Sequence, residues 1–490
     1  MRLIAVDDVW IRVECDEHVA RELYDHFSYD LPAAKFMQAY RKRQWNGKIH
    51  LFKLRGHLIY RGLLPRVIDF ANQCGYTVVN DVPVPLPQTP DNLDQFITDL
   101  GLPNTPRDYQ VAGMRTILDD HRGVIISPTG SGKSLIIYLV TQCLNLPTLI
   151  VVPTIGLVEQ MRKDLIDYGA DPDTIQTISG GFSKAITHQF TISTWQSIYE
   201  LPQVYYNQFR CVVVDEVHLA KAKSLMGLME KCKHVPFRMG CSGTLDGCDV
   251  HQLVLEGLFG RVTRVTTTHA LQQRNELSSL SVKLCAVKYP VDVCKELRRV
   301  PYSEEVEFLI SHAGRLELVA QLAAKSKGVT LVLFNYVEKH GEPLFRRIQD
   351  IVVDRPVHFI AGKVSGESRE AIRQLVLQGD RDIIVASYGT FSTGINIPNL
   401  QTLIFASPSK SKIRVLQSIG RVLRLHSNKV KATLIDVIDD LRVGSSVNHT
   451  FRHAEQRVQY YAAERFPYEL VTCDLETWVR RLTANGSKTG

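Results

Sequence analysis

The chain has no apolar run approaching the roughly 18 to 20 residues that cross a bilayer, which removes a membrane-spanning reading. Its opening, MRLIAVDDVW, places acids straight after a very short apolar stretch, so the long apolar middle and small-residue cleavage site of a secretory signal are missing. A soluble protein of the cytosol is expected. The ten cysteines include no C-x-x-C pair and no Cys/His spacing of a zinc site, so reduced, structural thiols are the reading. There is no internal repeat, no low-complexity tract and no cluster of metal-binding carboxylates that suggests a fused nuclease. One further absence is local. Between Leu31 and Arg66 there is no Asp or Glu, whereas Lys35, Arg41, Lys42, Arg43, Lys48, Lys53, Arg55, Arg61 and Arg66 all fall there. The net charge of +7 says only that anionic partners are tolerated, but this segment must carry a positive field.

What is present reads as several domains, because 490 residues exceed one ordinary core. Leu3–Val6 and Trp10–Val13 read as short strands and Glu17–Phe27 as a helix, giving a small α+β domain over residues 1–85. Residues 86–106 are rich in proline and acids and read as an extended linker with one short helix. From Arg107 the texture changes to short Val/Ile-rich runs, among them Val124–Ile126, Leu149–Val152, Phe190–Ile192 and Cys211–Val214, alternating with helical segments. Buried parallel strands have this pattern. A second series (Thr330–Phe334, Val357–Ile360, Ile383–Ala386, Leu403–Ala406, Ala432–Ile435) repeats it. Two α/β domains in tandem follow, over 107–272 and 273–441, with a helical, aromatic-basic extension over 442–490 that holds Phe451, Arg452, Arg457, Tyr460 and Tyr461. Gly180-Gly181 reads either as a turn that contacts the nucleic-acid strand or as a plain turn.

Ser127-Pro-Thr129-Gly130-Ser131-Gly132-Lys133-Ser134 stands between the apolar run VIIS and the apolar LIIYLV, the strand, loop and helix order of a phosphate cradle. Glycines let backbone N–H groups turn toward phosphate oxygens, and the following helix offers its positive end. Lys133 then reaches the β and γ phosphates and the Ser134 hydroxyl faces Mg²⁺. The strict pattern begins with Gly, where this chain has Ser127. Cys211–Val214 followed by Asp215-Glu216-Val217-His218 is a buried strand ending in two acids, suited to holding Mg²⁺ (Asp215) and activating water (Glu216). Gln417-Ser-Ile-Gly-Arg421-Val-Leu-Arg424 puts two guanidinium groups three apart on one helix face, able to stabilise charge on a transferred phosphate of ATP.

In this order the motifs resemble those of superfamily 2 helicases from Arg107 to about Asp440. RDYQ, Arg107 to Gln110, resembles the adenine-reading element. VPT, with Thr154, and STWQS, with Thr194 and Trp195, resemble the elements that touch the nucleic-acid backbone. SGT, Ser242 to Thr244, resembles the element that with His218 couples hydrolysis to domain movement. ASYGTFSTGINIP resembles the element whose Thr393 and Gly394 lie near both ATP and strand. Over the whole length, FSYD, RKRQWNGKIHLF, GLFG, LQSIGRVLR and QRVQYYAAERFPYELV resemble the UvsW-type bacteriophage helicases. That resemblance implies a small basic DNA-binding domain ahead of two RecA-like domains, with ATP and Mg²⁺ as cofactors. It also implies branched, forked or single-stranded DNA, with RNA–DNA hybrids as a further candidate, as the partner, no obligate protein partner, and host cytoplasm as the location. Fork regression, Holliday-junction migration and D-loop or R-loop dissolution are the implied tasks.

In the N-terminal segment Trp45, Tyr40, Phe52 and Tyr60 interleave with Arg41, Lys42, Arg43 and Lys48, which suits backbone contact and base stacking. Singly, each aromatic suits a core better than a ligand, and the basic residues also suit a merely solvated face. An RNA helicase, a restriction-type duplex translocase and a nucleotide-dependent junction-binding module remain alternatives at this stage.

Overall fold

The computed structural model describes residues 1–31, 34–178, 184–219, 223–362, 374–392, 397–426, 429 and 431–486. Contacts divide the chain into two units, Met1–Ser127 with Gly132–Thr266, and Thr267–Gly490 with the short loop Pro128–Ser131. Among the described residues no helix is long and apolar enough to cross a membrane.

The first unit opens with a five-stranded sheet ordered Phe52–Lys53, Leu58–Tyr60, Trp10–Glu14, Arg2–Ala5 and Val79–Asn80, antiparallel except for its last pair. Helix Glu17–His26 presents Val19, Ala20 and Leu23 to this sheet's core, the one-face spacing of a 3.6-residue turn. Helix Leu64–Gln73 starts with proline in its first turn, where no intrahelical N–H is lost, and buries Val67, Phe70 and Ala71. A separate two-stranded ribbon pairs Ser28–Asp30 with Lys48–His50 and carries the basic segment.

A seven-stranded, all-parallel sheet follows, ordered Ile175–Ile178, Phe190–Thr194, Thr148–Val152, Cys211–Val214, Phe237–Ser242, Arg122–Ile126 and Val262–Arg264. Its central strands are buried at every position, as sheets covered on both faces are, so their sequences run apolar rather than alternating. The N-terminal sheet is welded to this one. Leu3, Ile11, Phe27 and Phe70 belong to the same apolar core as Val124, Ile126, Leu258 and Phe259. Polar ties ring that core: Tyr60 Oη donates to Glu230 Oε1 at 2.6 Å, Arg66 forks onto Glu256 at 2.6 and 3.1 Å, and Arg122 Nη2 donates to the Asp8 carbonyl at 3.2 Å. At Gly257 a Cβ would stand 2.8 Å from the Tyr60 ring, so this close approach requires glycine. The linker is docked rather than free: Gln88 N donates to the Leu118 carbonyl at 3.0 Å, and Leu93, on helix Leu93–Asp99, is buried in the core beside Met114 and Leu118.

The second unit holds another seven-stranded parallel sheet, ordered Val357–Ile360, Ile383–Ser387, Val329–Phe334, Leu400–Phe405, Lys431–Asp440, Ser279–Lys288 and Tyr468–Asp474. The chain after residue 441 is therefore not purely helical, as the sequence had suggested. Helix His449–Ala463 leads into Tyr468–Asp474, which pairs along Ser279–Lys288 as the sheet's last strand. Backbone pairing, not burial, makes this strand, since nearly all its side chains are exposed, and periodicity gives no sign of it.

Candidate nucleotide and nucleic-acid sites

Strand Arg122–Ile126 delivers the chain into the glycine-rich loop, and helix Lys133–Leu144 carries it away. Gly130 (φ 87°) and Gly132 (φ 78°) take left-handed conformations that other residues adopt only with strain. Gly132 is further constrained because a Cβ there would lie 2.5 Å from Gln110 Nε2. Gln110 is almost wholly buried: its Oε1 accepts from Arg107 N at 2.8 Å and its Nε2 faces the Gly132 carbonyl at 3.5 Å. Arg107 Nη1 donates to Tyr109 Oη at 3.0 Å. Beside this pair opens a cavity of about 470 Å³ lined by Leu102, Asn104, Thr105, Arg107, Gln110, Gly132 and Tyr168. Tyr168 Oη also meets Ser134 Oγ at 3.0 Å. Tyr168 was invisible as a site residue in the sequence, because it sits at the end of an ordinary amphipathic helix, Ile155–Asp167.

Lys133 Nζ rests on the Ser127 carbonyl at 3.3 Å. Asp215 leaves its strand with its amide still on the Val151 carbonyl at 2.9 Å, while its Oδ1 accepts from Glu216 N at 2.9 Å. Glu216 holds φ 51°, a strained turn for a non-glycine residue. Burial, then repulsion from Glu216, pushes the Asp215 carboxyl up to about 6, against the opposing pull of Lys133.

A hydrogen-bond chain leads away from Glu216. His218, buried, has Nδ1 at 3.2 Å from Glu216 Oε2 and 2.9 Å from Ser242 Oγ. Ser242 Oγ donates to the Thr244 carbonyl at 3.0 Å, so toward His218 it accepts, and the carboxylate can only accept. Nδ1 therefore carries the proton. Ser242 ends strand Phe237–Ser242, and its carbonyl takes the amide of Ser127, the first residue of the phosphate loop, at 3.0 Å.

The residues expected on a nucleic-acid strand divide. Thr154 precedes helix Ile155–Asp167, and its Oγ1 is buried with no hydrogen-bond partner among the described residues. Thr194 is buried and spends its hydroxyl on Ser197 Oγ at 2.9 Å. Trp195 is 7% exposed, and its ring packs in the apolar core. Thr393, Gly394 and Gly180-Gly181 lie outside the described residues. In the N-terminal ribbon Arg41, Lys42, Arg43 and Lys48 are exposed, and Trp45, half-buried, donates Nε1 to the Lys48 carbonyl at 2.8 Å. Lys35, Tyr40, Arg41, Arg43, Gln44, Trp45 and Asn46 line an open cavity of about 670 Å³.

In the second unit Gln417 and Arg421 lie on helix Lys412–Val422. The guanidinium of Arg421 donates to the Phe391 carbonyl and stacks 4.9 Å from the Phe391 ring. Arg424 is corrected in one respect: it falls two residues beyond the end of that helix, so it does not share a helical face with Arg421.

Residues 2–81 match the family model for the N-terminal domain of DNA helicase UvsW, 104–247 that for the res subunit of type III restriction enzymes, and 314–426 that for the helicase conserved C-terminal domain. The ATP-dependent DNA helicase uvsW of Enterobacteria phage T4 is 31% identical over 494 residues, covering 95% of this chain and 98% of its own. The DNA 3'-5' translocase XPB2 of Sulfurisphaera tokodaii is 25% identical over 372 residues, covering 68% of this chain and 81% of its own. The crystal structure of T4 UvsW superposes with a TM-score of 0.50 at 30% identity, covering 97% of this chain and 99% of that one. Tandem RecA-like sheets with a phosphate loop and a strand ending in paired acids define a superfamily 2 helicase, an enzyme that uses ATP and acts on DNA. Within that superfamily the chain belongs to the UvsW family of ATP-dependent DNA helicases.

Proposed function

We propose that this helicase remodels branched DNA, gripping it through the N-terminal ribbon while ATP turnover drives strand movement. The observation that carries this reading is the basic, aromatic-lined cavity about Tyr40, Arg41, Arg43 and Trp45, on a domain that shares one continuous core with the phosphate loop's own sheet. A DNA arm held there moves with the nucleotide-binding body. Lysine and arginine contacts of this kind read phosphates, not sequence, so binding weakens steeply with salt.

About the phosphate loop the residues fit a nucleotide and a hard divalent cation. The left-handed glycines and the start of helix Lys133–Leu144 suit phosphate oxygens, and the cavity beside Gln110 and Arg107 suits a purine ring. The Ser134 hydroxyl and the half-buried Asp215 carboxylate are oxygen donors of the sort Mg²⁺ takes, and its charge would favour ionised Asp215 in a place where desolvation alone disfavours it. When bound, that ion supplies charge neutralisation for phosphoryl transfer. Lys133 holds the terminal phosphates, Glu216 orients and deprotonates water, and the Glu216, His218, Ser242 and Thr244 chain transmits a change at the acid to the strand next to the loop. Gln417, Arg421 and Arg424 are assigned to stabilising charge during hydrolysis, and Thr154, Thr194 and Thr393 to the strand's backbone.

The test is the ATPase rate without nucleic acid and with single-stranded DNA, duplex, a four-way junction and a matched RNA, with Glu216→Gln as control. Strongest stimulation by the junction supports the reading. Strongest stimulation by RNA replaces it with an RNA-directed one, and an equal response to every polymer removes the branch preference.

A further inference from the structure

We propose that the second unit carries its own stacking site for single-stranded DNA, formed by Tyr302, Tyr336, His449 and His453 with Lys410 and Arg414. The proposal rests on the chain being a strand-tracking motor, not on its preference for branched substrates. It begins with exposed rings: Tyr302, which opens a helix, is 40% exposed, and Tyr336, in the connection ahead of the turn Val337–Gly341, is 44% exposed. Tyr302 opens helix Tyr302–Ser311, and its ring meets the His453 ring edge-on at 5.1 Å and the His449 ring at 6.2 Å. Both histidines project from helix His449–Ala463, within the aromatic-basic stretch conspicuous in the sequence.

This cluster is held, not loosely draped. Glu305, one turn beyond Tyr302, turns its carboxylate inward and accepts from Asn448 Nδ2 (2.9 Å), His449 N (2.9 Å), Thr450 N (2.7 Å) and Thr450 Oγ1 (2.6 Å). Those bonds clamp the start of one helix onto the other and remove an acid from the surface. Tyr460 Oη donates to the Lys410 carbonyl at 3.1 Å, fixing the loop that brings Lys410 alongside His453. His453 Nδ1 is buried and has no hydrogen-bond partner among the described residues, so the ring's place is set by packing rather than by a polar contact.

The position is that of a ligand site in a parallel sheet. Tyr336 follows the carboxyl end of strand Val329–Phe334, and Lys410 lies just past the carboxyl end of the adjacent strand Leu400–Phe405. Open α/β sheets bind ligands at that edge. Arg414, exposed, reaches Asn335 Oδ1 at 3.3 Å and stacks 5.5 Å from the Tyr388 ring, which anchors a cation next to Tyr336. Exposed aromatic faces beside fixed cations are the pairing that single strands use, bases on rings and phosphates on charges. A duplex, with its bases already stacked, has no such use for the tyrosines, so a single strand is the occupant.

The experiment uses the full-length protein. An oligonucleotide bearing 5-iodouracil, irradiated in complex with the unaltered protein, is expected to cross-link to the peptides that carry Tyr302 or Tyr336. Adducts confined to other peptides overturn the proposal. In parallel, Tyr302→Ala with Tyr336→Ala is expected to raise the Kd for a fluorescent single strand by at least roughly tenfold, whereas the paired Phe substitutions retain affinity, since stacking needs the ring and not the hydroxyl. Lys410→Gln with Arg414→Gln lowers the slope of log affinity against log salt by about 1.4. Ala and Phe variants of equal affinity, or a salt slope unmoved, overturn it. A wild-type protein indifferent to junctions but losing single-strand affinity in the Ala pair would sink the branched-DNA reading and leave this site standing.

Discussion

Arg457 forks onto Asp436, Nε to Oδ2 and Nη2 to Oδ1 both at 2.8 Å, with the two side chains almost entirely out of solvent. The same guanidinium donates through Nη1 to the Ser409 carbonyl at 2.9 Å, and Tyr461 Oη donates to Asp436 Oδ2 at 2.8 Å. A helix after residue 441 thus pegs the loop that precedes helix Lys412–Val422, the one bearing Gln417 and Arg421. Removing one partner leaves a buried charge uncompensated, so Arg457→Met is expected to cost about 3 to 5 kcal/mol. Adding Asp436→Leu to it should recover much of that loss. Chemical denaturation of both variants decides the matter, and a double variant no better than the single would show that the pair contributes through geometry rather than charge balance.

For the nucleotide site, Lys133→Ala should lose nucleotide binding, measured with a fluorescent ATP analogue. Glu216→Gln should keep that binding and lower kcat by roughly 10² to 10⁴, the usual contribution of a general base. Near-normal turnover in the Gln variant would remove Glu216 from the chemistry.

Much of this could be read from the chain because its signals are local. Buried parallel strands are apolar runs, so Cys211–Val214 and Leu149–Val152 stood out, and the phosphate loop announced itself through Gly130, Gly132 and Lys133. Where placement depends on partners distant in sequence, the reading failed. That the ring of Trp195 packs in the core could not be read from STWQS, because the residue directly follows a buried strand. Tyr168 reaches the site only because helix Ile155–Asp167 folds back past Ser134, and Tyr468–Asp474 is a strand only by virtue of Ser279–Lys288 beside it. The aromatics of the basic segment split in the same way: Phe52 and Tyr60 went to the core, while Tyr40 stayed exposed and Trp45 half-buried.

Gly132 tests how tightly the loop is built. Gly132→Ala meets two obstacles, the left-handed backbone, which costs roughly 1 to 2 kcal/mol, and the approach of its Cβ to 2.5 Å from Gln110 Nε2. ATP affinity should fall at least about tenfold, and the strain should also lower the melting temperature by a few degrees. Trimming Gln110 to Ala in the same chain relieves the contact but leaves the backbone strain and also removes a side chain lining the purine cavity, so affinity should stay below that of the wild type. Full recovery would mean that the backbone conformation is not needed.

Acid should weaken the second unit through His340. This ring is fully buried, its Nε2 has no hydrogen-bond partner among the described residues, and burial followed by the nearby Arg315 charge lowers it from 6.5 to about 3. The folded state therefore resists protonation while the unfolded chain accepts it. Between pH 6.5 and about 3 the unfolded state binds more protons, so the stability present above 6.5 is lost as pH falls through that window, by up to about 1.4 kcal/mol per pH unit. Denaturation midpoints of wild type and His340→Gln across that range should converge toward low pH. Parallel curves would assign the acid sensitivity to other groups.

The N-terminal ribbon yields the sharpest test of substrate choice. Arg41, Lys42 and Arg43 are exposed, and Arg41 and Arg43 help line the cavity with Trp45, so replacing all three with Ala removes charge without opening a core. If each neutralises one phosphate of a junction arm, the slope of log affinity against log salt should fall by up to about 2.7, and junction affinity should drop most at low salt. Phosphate contacts carry no sequence preference, so the loss should be uniform across junctions of different sequence. Trp45→Ala separates the remaining possibilities. Its Nε1 bond to the Lys48 carbonyl braces the ribbon, so a purely structural role predicts a lowered melting temperature with the salt slope retained. A stacking role predicts weaker binding to junctions with unpaired bases at the branch and unchanged binding to fully paired ones.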